Sequence, residues 1–143
     1  MFLEMPFDDI AIGACWTSRG RTITETDIVL FAGLSGDWFP LHTDREYAAT
    51  TPFGARIAHG MLVLSVASGL IPLPVGRIVA FYGMDRVRFT RPVFIGDTIH
   101  ARAEVVEKTL REDGRGLLTI FEEVRNQRQE TVAVFTARIL MQR

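Results

Sequence analysis

From Gly60 to Pro74 the chain reads GMLVLSVASGLIPLP, without a charge and with serine as its only polar side chain. A helix that is apolar on every face must be buried all round or cross a membrane. This segment is shorter than the ~20 residues a bilayer crossing needs, and Pro72 and Pro74 end it. It is therefore read as a central core helix that a sheet must wrap. The second half of the chain supplies the strands. Ile99, Ala101, Ala103 and Val105 alternate with His100, Arg102, Glu104 and Val106. RIVAFYGMDRVRFTRPV sets Val87 and Phe89 against Arg86, Arg88 and Arg91, and TVAVFTARILMQ has Val132, Val134, Thr136 and Arg138 on one parity. With GLLTIFEEVRNQRQE these make a set of four strands. The cluster Asp113, Gly114 and Gly116 suits a tight hairpin.

The first half is helical and looped. A short strand is expected around Ala14 to Thr22. TETDIVLFAGLSG then reads as a helix: Thr24 caps it, Asp27 completes a capping box, Ile28, Phe31 and Leu34 form one apolar face, and Gly36 terminates it. The loop DWFPLHTD follows, then a short helix from near Asp44 and the loop PFGARIAHG. No repeat, linker or low-complexity tract divides the chain, so a single domain over residues 1–143 is predicted. Consecutive strands with short connections give an antiparallel sheet. An α+β chain with a curved antiparallel sheet around a long apolar helix is the hotdog architecture.

Composition narrows the partners. In 143 residues, 48% are hydrophobic and 23% charged, the balance of a folded domain, and the formal net charge of -1 leaves no basic footprint for nucleic acid or an anionic membrane. The single Cys15 excludes an intrachain disulfide and is expected to be a small core residue. Met1 to Ile12 lacks the basic start and apolar run of a secretory signal, so a cytoplasmic location is expected.

Two constellations carry chemistry. In GDWFPLHTD, Asp37 and His42 flank Pro40, which stiffens the loop and restrains Phe39 before it. General acid and base catalysis needs two such groups within reach of one water. Trp38, Phe39 and Leu41 would wall the pair from solvent. The alternative is a capping acid beside a surface histidine. In IAHGML, Gly60 opens the apolar helix, where free N–H groups and the positive end of the macrodipole can polarise a carbonyl oxygen. His59 reads as a wall or cap residue. A metal site from His42, Asp44 and His59 has no helical ligand spacing, and Cys15 has no neighbouring base, so neither is adopted.

The block Phe31 to Leu70, FAGLSGDWFPLHTDREYAATTPFGARIAHGMLVLSVASGL, resembles the hydratase signature of the MaoC-like hotdog family, which includes (R)-specific enoyl-CoA hydratases. RFTRPVFIGDTI, Arg88 to Ile99, is similar to the family's strand and turn after the helix. The resemblance implies that Asp37 and His42 bind and activate water and that the Gly60 N–H donates to a thioester oxygen. It also implies that Ser68 shapes the pocket, to which Phe39, Pro40, His59 and Met61 are assigned as well. The family usually has Asn where this chain has Phe39, so the contacts holding the loop must differ. The implied reaction is reversible addition of water to a 2-enoyl thioester, giving the (R)-3-hydroxyacyl product. The alternatives are an acyl-CoA thioesterase and a non-catalytic acyl-thioester-binding protein on the same fold. No metal or redox cofactor is implied. Coenzyme A enters as part of the substrate, where Arg86, Arg88 and Arg91 are candidates for its phosphates. An exposed sheet edge implies a homodimer or a dimer of dimers.

Overall fold

A computed structural model describes all 143 residues. Its secondary structure runs β1 (Cys15–Thr17), β2 (Arg21–Thr22), α1 (Glu25–Ser35), α2 (Pro40–Thr43), α3 (Arg45–Ala49), α4 (Gly60–Leu70), β3 (Ile78–Phe89), β4 (Thr98–Leu110), β5 (Gly116–Arg125) and β6 (Thr131–Met141). The strands form one antiparallel sheet in the order β1-β4-β5-β6-β3, with β2 also pairing β4. Its core-facing residues include Ile99, Ala101, Ala103 and Val105 of β4, Leu118, Ile120 and Val124 of β5, and Phe135, Ala137 and Ile139 of β6. Against them pack Leu62, Val63, Leu64 and Ala67 of α4. This is the predicted hotdog arrangement. No helix is long and apolar enough to cross a membrane.

Local chemistry explains the elements that frame the site. Thr24 Oγ1 accepts from the Asp27 N–H, Asp27 Oδ2 accepts from the Thr24 N–H, and Arg21 grips the same carboxylate at 2.6 and 2.9 Å. That guanidinium holds the Asp27 carboxyl down at about 2, below the usual carboxylate range. Gly36 ends α1 at φ +78, a left-handed position that favours glycine. Asp44 caps α3 by accepting from the Tyr47 N–H at 3.0 Å.

Several expectations need correction. The segment Ala14 to Thr22 holds two short strands. It is broken where Ser18 exchanges hydrogen bonds with the backbone of Ala101. The buried face of α1 is Ile28 and Ala32 with Phe31 half-buried, whereas Leu34 is 85% exposed. Cys15 is exposed, its Sγ beside the Gly13 carbonyl and the Arg102 guanidinium. The Val87/Phe89 alternation is interrupted by an irregularity between Asp85 and Arg88, with Arg86 at φ +54, and Phe89 is exposed. The central helix is shorter than its apolar run and is not covered all round. Met61, Ser65 and Gly69, spaced four apart, form one open stripe because the sheet reaches only the opposite side. Before β1, two 3₁₀ turns bury Phe2, Leu3, Phe7 and Ile10. Their apolar positions follow no period, so periodicity could not find them.

Candidate active site

Asp37 stands in the turn after α1. His42 lies on the short helix α2 rather than in a loop, with Pro40 at its first position, where a missing N–H costs nothing. Thr43 Oγ1 donates to the Trp38 carbonyl at 3.0 Å, and the Asp37 carboxylate accepts from the Phe39 N–H at 3.2 Å. These bonds close the segment on itself. Opposite, the Ala58 N–H donates to the Val93 carbonyl at 2.7 Å, and Ile57 bridges to Phe94. The entry to α4 is thereby fixed against the β3–β4 connection.

The two sides meet at two imidazoles. His42 Nδ1 donates to the Ile57 carbonyl at 2.8 Å; since a carbonyl can only accept, the proton is on Nδ1 and Nε2 is left free. His59, 2% exposed, donates from Nε2 to the Asp37 backbone carbonyl at 2.9 Å. Its ring stacks on His42 at 3.9 Å between centroids and meets Phe31 on the other side at 4.9 Å. His59 is not the pocket wall expected: it lines neither the cleft beside His42 nor the cavity beyond it, and instead ties the Asp37 turn to the start of α4.

Side-chain ligand atoms of Asp37, His42 and His59 lie within 4.8 Å of one another. The set suits proton transfer better than metal binding, because stacked rings only 28° apart aim their in-plane lone pairs side by side rather than at one point. Asp44, named in the metal alternative, caps α3 instead. Asp37, Trp38 and Phe39 are exposed, so this chain alone does not wall the carboxylate from solvent as expected.

Next to His42 is a cleft of about 390 Å³ lined by Gly60, Met61, Phe53, Phe89 and Arg91, among others. Gly60 begins α4, so its N–H is one of the donors the helix leaves unpaired. A Cβ there would sit 2.6 Å from the Phe89 ring, which explains the glycine by close approach. Phe39 and Pro40 do not line the cleft; the Phe39 ring braces His42 and Tyr47 edge-on at 6.1 and 6.2 Å, in the place where the family usually has Asn. Arg91 lines the cleft, Arg86 belongs to a charged surface recess, and Arg88 donates to the Val87 carbonyl.

Ser68 is separated from the pair and lines a second cavity of about 320 Å³, which shares Met61 with the first. Glu122 also lines it, 1% exposed, with Oε2 hydrogen-bonded to nothing. Burial pushes its carboxyl from the ordinary 4.5 up to about 8. Pattern reading passed over Glu122, although it shares the parity of Leu118, Ile120 and Val124 and was visible as an acid on a core-facing row.

The MaoC-like domain model matches residues 12–127. Protein MaoC of Klebsiella aerogenes is 43% identical over 106 residues, covering 73% of this chain but only 32% of the relative, so the chain spans about a third of that protein. The (R)-specific enoyl-CoA hydratase of Rhodospirillum rubrum is 43% identical over 99 residues, 69% of this chain and 68% of the relative. A solved structure described as a monoamine oxidase regulatory protein from Archaeoglobus superposes with a TM-score of 0.92 at 47% identity, covering 97% of this chain and 95% of that one. Fold, ordered motif and the matched span together make this chain a member of the MaoC-like domain family.

Proposed function

We propose that the protein is a hydro-lyase that adds water reversibly across the double bond of a 2-enoyl thioester, giving the (R)-3-hydroxyacyl thioester. The observation that carries this is a ring nitrogen of His42 within 4.8 Å of the Asp37 carboxylate, beside a cleft that reaches the start of α4, with the Ile57 carbonyl occupying Nδ1 and leaving Nε2 free. Water sits between the two groups. One of Asp37 and His42 takes the water's proton as its oxygen bonds to C3, and the other gives a proton to C2. Exchange between the neighbouring groups then restores the starting state. The Gly60 N–H, with the positive end of the α4 dipole, stabilises the charge that collects on the thioester oxygen.

The thioester itself activates C3, so the proposal requires no resident metal or redox cofactor. Arg91 is the arginine positioned for a coenzyme A phosphate, since it alone of the three candidates lines the cleft. A homodimer pairing along β3 is proposed, because that edge strand exposes Val79, Phe81 and Tyr82. A cytoplasmic location suits the exposed thiol of Cys15.

Incubation with crotonyl-CoA tests the reaction class. Loss of the enoyl absorbance without thiol release is expected. Thiol release would instead identify a thioesterase, and binding without turnover a carrier.

A further inference from the structure

Glu122 has no role in the proposed hydration, yet it is the buried acid that the fold leaves unpaired. Its cross-strand neighbours are Ala103 and Phe135, and nothing in that packing needs a carboxyl group. An unpartnered buried polar group is destabilising, so a residue retained there calls for a partner that enters from outside.

The cavity has the features of such a receptor. Leu3, Leu64, Met84 and Ile139 make its walls apolar, and its polar side chains are Glu122, Ser65 and Ser68. Both serine hydroxyls donate to their own helix, Ser65 to the Met61 carbonyl at 2.7 Å and Ser68 to the Ser65 carbonyl at 2.9 Å. Each retains lone pairs that can accept from a guest. Eight residues separate Gly60 from Ser68, about 12 Å along α4 at its ordinary rise. A chain anchored at Gly60 can therefore follow the open stripe of Met61, Ser65 and Gly69 into the cavity.

The geometry points to an acyl chain that carries a neutral hydrogen-bonding group, a hydroxyl, at its far end, received by the carboxylic acid of Glu122 and the serine oxygens. This rests on the thioester reading of the adjoining cleft. No Arg, Lys or His lines the cavity, so a distal carboxylate would find no counter-charge there. A protonated Glu122 offers a hydroxyl both a donor and an acceptor, whereas a plain alkyl end leaves the acid unpaired. The raised affinity of the Glu122 carboxyl for its proton agrees with this assignment.

Calorimetric titration of the full chain with saturated acyl-CoA thioesters, hexanoyl to decanoyl, against their ω-hydroxy, ω-amino and ω-carboxy analogues reads the preference without turnover. The ω-hydroxy compound of the fitting length should bind at least about tenfold tighter than its alkyl counterpart. Glu122→Gln should keep that preference. Glu122→Leu should abolish or reverse it, with a raised Tm showing that the fold is intact. Equal or tighter alkyl binding by the natural protein, an unchanged ratio in Glu122→Leu, or tightest binding of the amino or carboxy analogue would each overturn the proposal. Hydration of crotonyl-CoA without a hydroxyl preference overturns this inference alone. Failure to bind any acyl-CoA overturns it together with the thioester reading.

Discussion

His42 and His59 show how much one residue's surroundings decide its chemistry. Both are imidazoles in the same stack and each bonds a backbone carbonyl, but His42 lines a cleft near an exposed carboxylate, while His59 is 2% exposed and lines none. His59→Phe should keep the stack but release the Asp37 turn. Turnover should fall while Tm changes little, as thermal unfolding and crotonyl-CoA kinetics would measure. Glu122 gives a prediction in pH. The unfolded chain loses this proton near 4.5 and the folded chain near 8, so between those values the folded state binds more protons and stability falls as pH rises. Glu122→Gln should remove that fall, of up to about 1.4 kcal/mol per pH unit, and gain most over the natural protein at pH 8. Denaturant melts at pH 5 and pH 8 compare the two. The pair Asp37 and His42 was singled out in the sequence by its resemblance to the family motif, since its spacing alone equally suits a capping acid beside a surface histidine. The Ile57 carbonyl that fixes the His42 tautomer was not, because a backbone acceptor fifteen residues away leaves no trace in side-chain type.

Among elements, those with local signals matched their sequences. The Thr24–Asp27 capping box and the Gly36 stop bound α1 as expected, and strict alternation placed β4. Thr24→Ala should cost about 1 kcal/mol in denaturant melts. The Asp27 carboxyl is depressed to about 2, so its contribution is present above about pH 4 and lost as pH falls toward that value. What the pattern missed was non-local. The absence of any charge hid that α4 leaves Met61, Ser65 and Gly69 uncovered, although that stripe is the less apolar side, facing away from Leu62, Val63, Leu64, Ala67 and Leu70. Nor could the pattern place Phe89 over the helix start. Gly60→Ala forces that ring aside, so KM for the thioester should rise while Tm stays level or increases.

At the scale of the molecule, the sheet covers one side of the helix and ends in an edge that exposes apolar side chains. In the proposed homodimer a second copy laid along β3 would continue the sheet. Sedimentation should give twice the chain mass of 16.1 kDa, and Phe81→Lys should return it to one. A natural protein that sediments as a monomer at micromolar concentration would contradict the pairing.

The central claim is that Asp37 and His42 act on one water as a unit, and crotonyl-CoA hydration by Asp37→Asn, His42→Ala and the double variant tests it most directly. Each single change should lower kcat by about 10²–10⁴ with the fold intact, and the double variant should fall no further than the worse single one. Substantial activity in either single variant, or losses that multiply in the double variant, would contradict it.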